Sequence, residues 1–231
     1  MFQTPLASKG TTDASARSNL YKLLSLAFKY PTLEIFETLK NGDYFSELRD
    51  KISSLTHLRN LGVHECINKA QRELRGINLQ DFQAGFVQTF DGGISPPPCA
   101  AYESLYREGS WIDTVFELSE FYRHFGLKVT QEEGKREFPD HLCAELEFLQ
   151  FLTSREDQAR RDENPKLLKE YIMAQKDFLE HHLIKWFPNF FKKLQGNAKN
   201  QFYIELAMIT LRFINSDLKW VSKTLQEFEL Q

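Results

Sequence analysis

Residues 164–188 read NPKLLKEYIMAQKDFLEHHLIKWFP, and this stretch decides the fold class. Asn164 before Pro165 is a helix start: the asparagine side chain accepts from an otherwise orphan amide, and proline's fixed φ and missing N–H suit the first turn. Leu168, Tyr171, Ile172, Phe178, Leu179, Leu183 and Trp186 then recur at three-to-four spacing, the buried stripe of a long helix that Pro188 is expected to end. The same pattern extends in both directions. Upstream, Pro139 suits the first position of a helix whose stripe is Leu142, Leu146, Leu149 and Leu152. Before it, Ser110 caps and Gly126 stops a helix with the apolar face Ile112, Val115, Phe116, Leu118, Phe121, Tyr122 and Phe125. Toward the N-terminus, Asp13 or Ser15 caps a helix carrying Leu20, Leu23, Leu24, Ala27 and Phe28, which Pro31 stops. Helical segments follow at 32–39, through Tyr44, Leu48, Ile52 and Leu55, and at 57–74 and 78–90. Downstream, a pair is expected at 201–213 and 217–228.

Composition agrees with that reading. Among 231 residues there are 30 Leu and 5 Val, with only 11 Gly and 8 Pro, whereas strands favour β-branched residues and frequent turn breakers. The expectation is an all-α chain of about ten helices in a single globular, bundle-like domain over 1–231. One interruption stands out. Residues 91–101, DGGISPPPCAA, place Pro96, Pro97 and Pro98 in a row, which favours an extended hinge between an N-terminal helical part, 13–90, and a C-terminal one, 102–231.

Several function classes are excluded. A net charge of −3 provides no basic field for nucleic acid. Cys66, Cys99 and Cys143 show no zinc spacing and fit reduced thiols in the cytoplasm. The first dozen residues hold no apolar core of signal-peptide length, and the apolar run at 202–214 is broken by Glu205 and Arg212, so neither export nor stable membrane insertion is expected. There is no GxSxG, HExxH or GxGxxG signature, and Gly134-Lys135 lacks the upstream glycine of a phosphate loop. His141 and Glu145 share a helix face without a second such pair, and the adjacent His181 and His182 point apart, so no metal centre is expected.

Charge is unevenly spread. Between Tyr102 and Glu147 there are eleven acidic and five basic residues, a local net of −6, which leaves +3 for the rest. An acidic zone rich in Tyr and Phe is able to receive a cationic, amphipathic peptide; a solvated helical face is the plainer alternative.

The motifs in this zone carry a resemblance. Pro96-Pro97-Pro98 with Tyr102-Glu103-Ser104-Leu105-Tyr106, then Phe121-Tyr122-Arg123-His124-Phe125-Gly126-Leu127, then Glu137-Phe138-Pro139-Asp140-His141-Leu142 running into Glu145-Leu146-Glu147-Phe148-Leu149, resembles the TorD/DmsD/NarJ family of redox-enzyme maturation chaperones. Tyr21-Lys22-Leu23-Leu24, His182-Leu183, Trp186 and Phe202-Tyr203 extend the likeness over most of the chain. The resemblance implies an all-helical, cytoplasmic binding protein that is not an enzyme. It would hold the N-terminal leader, often a twin-arginine export signal, of the catalytic subunit of a molybdenum-cofactor oxidoreductase until cofactor is inserted. Molybdopterin would belong to the client, and the chain itself would need no cofactor beyond weak guanine-nucleotide binding; the proline-containing connection between the two helical parts adds the expectation of a monomer or a domain-swapped dimer. The residues the resemblance points to for the leader are Tyr102, Glu103, Tyr106, Tyr122, Glu137, Asp140, His141 and Glu145. The competing readings are a nucleotide-binding regulatory protein and a helical scaffold subunit of a finished redox complex.

Overall fold

Side-chain caps set most of the helix starts. Thr12, Thr32, Asn78, Ser110 and Asn164 each accept from a backbone N–H two or three residues on, opening α1 (Asp13–Phe28), α2 (Leu33–Lys40), α5 (Leu79–Phe86), α6 (Trp111–His124) and α8 (Pro165–Phe178). The other helices are α3 (Asp43–Ser54), α4 (Val63–Gly76), α7 (Leu142–Arg161), α9 (Ile184–Asn197) and α10 (Gln201–Glu229). This computed structural model describes residues 12–59, 61–91, 97–127 and 138–229, and among them there is no named strand. Pro96 and Glu137 lie outside the described residues.

Helix α1 packs along α7, α7 along α8, α10 against α4, α8 and α9, and one connected apolar core runs from Ala16 in α1 to Val221 in α10. The all-α, single-domain architecture is therefore as the sequence implied.

Four local features differ from expectation, each for a physical reason. The first cap is Thr12, whose Oγ accepts from Ser15 at 3.0 Å, in place of Asp13 or Ser15. The segment expected at 57–74 begins at Val63, because Gly62 takes a left-handed φ of 65° after a 3₁₀ turn at Thr56–Leu58. Pro188 does not end the 165–187 helix. A π turn at Leu179–Leu183 intervenes and Pro188 sits inside α9, its lost hydrogen bond offset by burial of Trp186, Phe187, Phe190, Phe191 and Leu194. The pair expected at 201–213 and 217–228 is one helix, α10. Its buried stripe of Leu206, Ile209, Phe213 and Ile214 continues through Asp217 to Val221, and Asp217 fits there because Arg17 of α1 meets it.

Arg17 is fully buried and spends Nε, Nη1 and Nη2 on Asp217, Glu156 and Gln175, with Tyr21 donating to Asp217 at 2.6 Å and the guanidinium 4.4 Å from the Trp220 ring. This polar knot ties α1, α7, α8 and α10 together.

Candidate functional site

The motif-bearing segments meet at the N-terminus of α7. Glu103 N–H donates to Asp140 O and Leu142 N–H to Ala101 O, both at 2.9 Å, forming an antiparallel bridge between Tyr102 and His141. The clasp explains a further difference from the sequence reading. Pro139 and Asp140 form a turn ahead of α7 and are not its first residues, because Asp140 is turned inward, where its Oδ2 accepts from the Ser104 hydroxyl at 2.6 Å. His141 is the cap: its Nδ1 accepts from Cys143 N–H at 3.2 Å. That bond needs an unprotonated ring nitrogen, and burial pushes the His141 pKa down to about 4.

Beneath the clasp lies a group of carboxyls. Glu103, Asp140 and Glu145 have no exposed surface. Glu103, on a 3₁₀ turn at Glu103–Leu105, accepts from Arg107 Nη1 at 3.0 Å and from His182 Nδ1 at 3.0 Å; a carboxylate can only accept, so Nδ1 carries the imidazole proton. Arg107 Nη1 also reaches Glu117 of α6 at 3.1 Å. Glu145 accepts from the Trp186 indole at 3.1 Å. Burial, then the neighbouring Glu103, pushes the Glu145 carboxyl well above its ordinary range, favouring the protonated form that donates to Glu103. Burial also raises Asp140, against the opposing effect of its Ser104 bonds. His182 is buried because the π turn swings it inward, which separates it from exposed His181.

Above these carboxyls the surface is apolar. Leu105, Trp111, Ile112, Phe116 and Phe138 are 62%, 49%, 67%, 65% and 40% exposed, an unusual concentration of large side chains left in water. Trp111 meets Phe138 edge-on at 5.5 Å, Phe138 meets Tyr102 at 6.2 Å, and Tyr102 meets the His141 ring at 5.0 Å, so an aromatic row runs from α6 to the start of α7. Asp113, Glu117 and Glu120 recur at three-to-four spacing and put a carboxylate stripe beside Ile112 and Phe116. The opposite face of α6 is buried through Leu118 and Tyr122, and Phe121, Tyr122 and Phe125 reach Phe148 and Phe178.

The residues singled out from sequence thus fall into two groups. Tyr102, Tyr106 and His141 are half-buried at the surface, as are Pro97 and Pro98, while Glu103, Tyr122, Asp140 and Glu145 are buried below it. Tyr122 donates to Pro139 O at 2.8 Å, which braces the clasp, and Tyr106 stacks on Trp186 at 5.7 Å. Sequence reasoning missed the exposed strip, having assigned Ile112 and Phe116 to the buried face. The available signal was width: apolar residues at 111, 112, 115, 116, 118, 121, 122 and 125 cover more than half of the helix circumference, more than one packed face accounts for. It also missed Arg107, Glu117 and His182, which only the fold brings together.

Comparison with known proteins places this arrangement. A family model described as nitrate reductase delta subunit matches residues 58–192. The chain is 30% identical to the perchlorate reductase assembly chaperone protein of Dechloromonas aromatica over 88% of its own length and 89% of that protein's. It is 29% identical to the chaperone protein TorD of Vibrio parahaemolyticus over 65% of each chain. A crystal structure of a redox enzyme maturation protein from Archaeoglobus fulgidus, 22% identical, superposes with a TM-score of 0.53, covers 92% of this chain and 99% of its own, and shares the fold. With the family model spanning more than half of the sequence and the perchlorate reductase chaperone aligned along most of it, this chain belongs to the nitrate reductase delta subunit family, the TorD/NarJ group of redox-enzyme assembly chaperones.

Proposed function

We propose that this protein is a cytoplasmic, client-specific chaperone that binds the N-terminal leader of a molybdenum-cofactor oxidoreductase subunit and holds the precursor while cofactor is inserted, before export. It acts by binding alone, and molybdopterin belongs to the client. The observation that carries this reading is the exposed strip Leu105, Trp111, Ile112, Phe116 and Phe138, flanked by Asp113, Glu117 and Glu120. Moving one such side chain from water into a contact contributes about 1.5–3 kcal/mol. An apolar leader segment would cover the strip, and the basic residues ahead of it would meet the carboxylates in charge-assisted hydrogen bonds. The row Tyr102, Phe138 and His141 prolongs the platform toward the clasp.

Titration calorimetry with a synthetic leader, an arginine pair followed by an apolar run, tests the reading. Ile112→Ser combined with Phe116→Ser should weaken binding about tenfold or more with an unchanged helical spectrum. Neutralising Glu227, on the far part of α10, should do little. Equal affinities for the wild type and both variants would remove the strip as the docking site. Co-purification separates the scaffold reading, since a chaperone leaves the mature enzyme and a scaffold subunit stays.

A further inference from the structure

Arg107 is poorly used for an arginine beside buried carboxylates. One nitrogen, Nη1, serves both Glu103 and Glu117, and among the described residues its Nε and Nη2 donate to no partner. Its side chain remains 30% exposed, and it sits between the 3₁₀ turn and α6, its own N–H bonded to Glu103 O at 3.1 Å and Gly109 beyond it at a φ of 121°. Around it, the carboxyls of Glu103, Glu117, Asp140 and Glu145 face one guanidinium and one imidazole, that of His182. One carboxyl oxygen in a fully buried side chain, Asp140 Oδ1, meets no donor. A buried acceptor without a donor is costly, and a cation that brings more hydrogen bonds than Arg107 does would match the cluster better.

We propose that Arg107 is an internal stand-in for a partner's arginine: it occupies the Glu103 and Glu117 carboxylates in the free protein, and a guanidinium of the bound leader replaces it there. The inference rests on the leader-binding reading and deepens it, naming the site that takes an arginine. Exchange is favoured because a guanidinium arriving on a separate chain can approach the carboxylates with two nitrogens, whereas Arg107, tethered four residues from Glu103, presents one. His182, 3.0 Å from Glu103, keeps that carboxylate in place during the exchange. Glu117, 46% exposed, forms the entrance. The apolar strip begins two residues before Arg107, at Leu105, so one extended peptide can contact both.

The test vacates the site. Thermal unfolding of Arg107→Ala should rise in midpoint with sub-denaturing methylguanidinium chloride and not with methylammonium chloride, while the wild type responds to neither. Identical responses in the two proteins would overturn the proposal. Should Arg107→Ala fail to fold, Arg107→Gln, which keeps the stem and a donor, serves in the same assay. In calorimetry, the vacated variant should bind the arginine-bearing leader at least threefold more tightly than the wild type and gain nothing for a leader with citrulline in place of arginine. Equal leader affinity in wild type and variant would end the stand-in role and leave the docking strip standing. No binding by either would end the leader reading, and the methylguanidinium response would still decide whether the site takes a guanidinium.

Discussion

Two clusters of buried charge lie within one helical core and are built to opposite standards. Around Arg17, three guanidinium nitrogens reach Asp217, Glu156 and Gln175, Tyr21 adds a donor, and Arg160 covers the outer oxygen of Glu156 at 2.8 Å. Every polar side-chain atom of Arg17, Tyr21, Glu156, Gln175 and Asp217 that is shut off from water has a partner. Around Glu103, four carboxyls share Arg107 and His182, and one buried acceptor, Asp140 Oδ1, has no donor. The first cluster joins four helices, α1, α7, α8 and α10, with half-buried Arg160 and His57 at its edge. The second lies under an uncovered apolar strip. Where charge is fully matched the polar group specifies packing, and where it is left short the molecule keeps a place for something else.

The largest expected effect comes from breaking the matched cluster. Arg17→Leu leaves Asp217 and Glu156 buried without their cation and should cost about 3–5 kcal/mol, read by urea unfolding. Leader affinity of the folded fraction should be unchanged, and a loss below about 1 kcal/mol would mean that the knot is dispensable.

A smaller effect should come from the second cluster, with the opposite sign. Glu145 has a raised pKa when folded, so above its ordinary range near 4.5 the folded state holds a proton that the unfolded state releases, and stability falls as pH rises. Glu145→Gln copies the protonated form and should unfold at a higher temperature than the wild type, by a margin that widens from pH 5 to pH 8. His141 works the other way. Its folded pKa, about 4, lies below the unfolded value of 6.5, so its contribution is lost as pH falls from 6.5 toward 4, and this acid limb should persist in the variant. A margin that does not change with pH would show that Glu145 is ionised in the folded protein.

The smallest effect is ionic. Raising salt to physiological strength should slow leader association modestly, because Asp113 and Glu117 are exposed, Glu120 is half-buried, and a Debye length of about 8–10 Å screens them. Salt independence would assign recognition to the apolar strip alone.

The fold was legible wherever a local signal decided the structure. Caps such as Thr32, Asn78, Ser110 and Asn164 mark helix starts in sequence because the bond they make spans two or three residues. Asp217 misled for the opposite reason. Asp217 reads as the start of a second helix, and the arginine that makes it a core residue is 200 positions away. Pro188 and the π turn belong to the same class, since their cost is offset by aromatic packing that no local window reports. The site was legible as a region and not as a mechanism. The Y-E-S-x-Y and E-x-P-D-H-L segments do meet, through the Tyr102 to His141 bridge, yet which carboxyls face inward depends on the turn at Pro139 and Asp140 and on His182 arriving from another helix.

The same knot also sets a timetable for biosynthesis. Arg17 emerges from the ribosome 200 residues ahead of Asp217. At roughly 5–20 residues per second, α1 waits roughly 10–40 s for that partner. Throughout that interval α1 carries a guanidinium without its Asp217 partner, and the final packing of the knot waits for α10. This chain, itself of an assembly-chaperone family, therefore has a core that only its last described helix can complete.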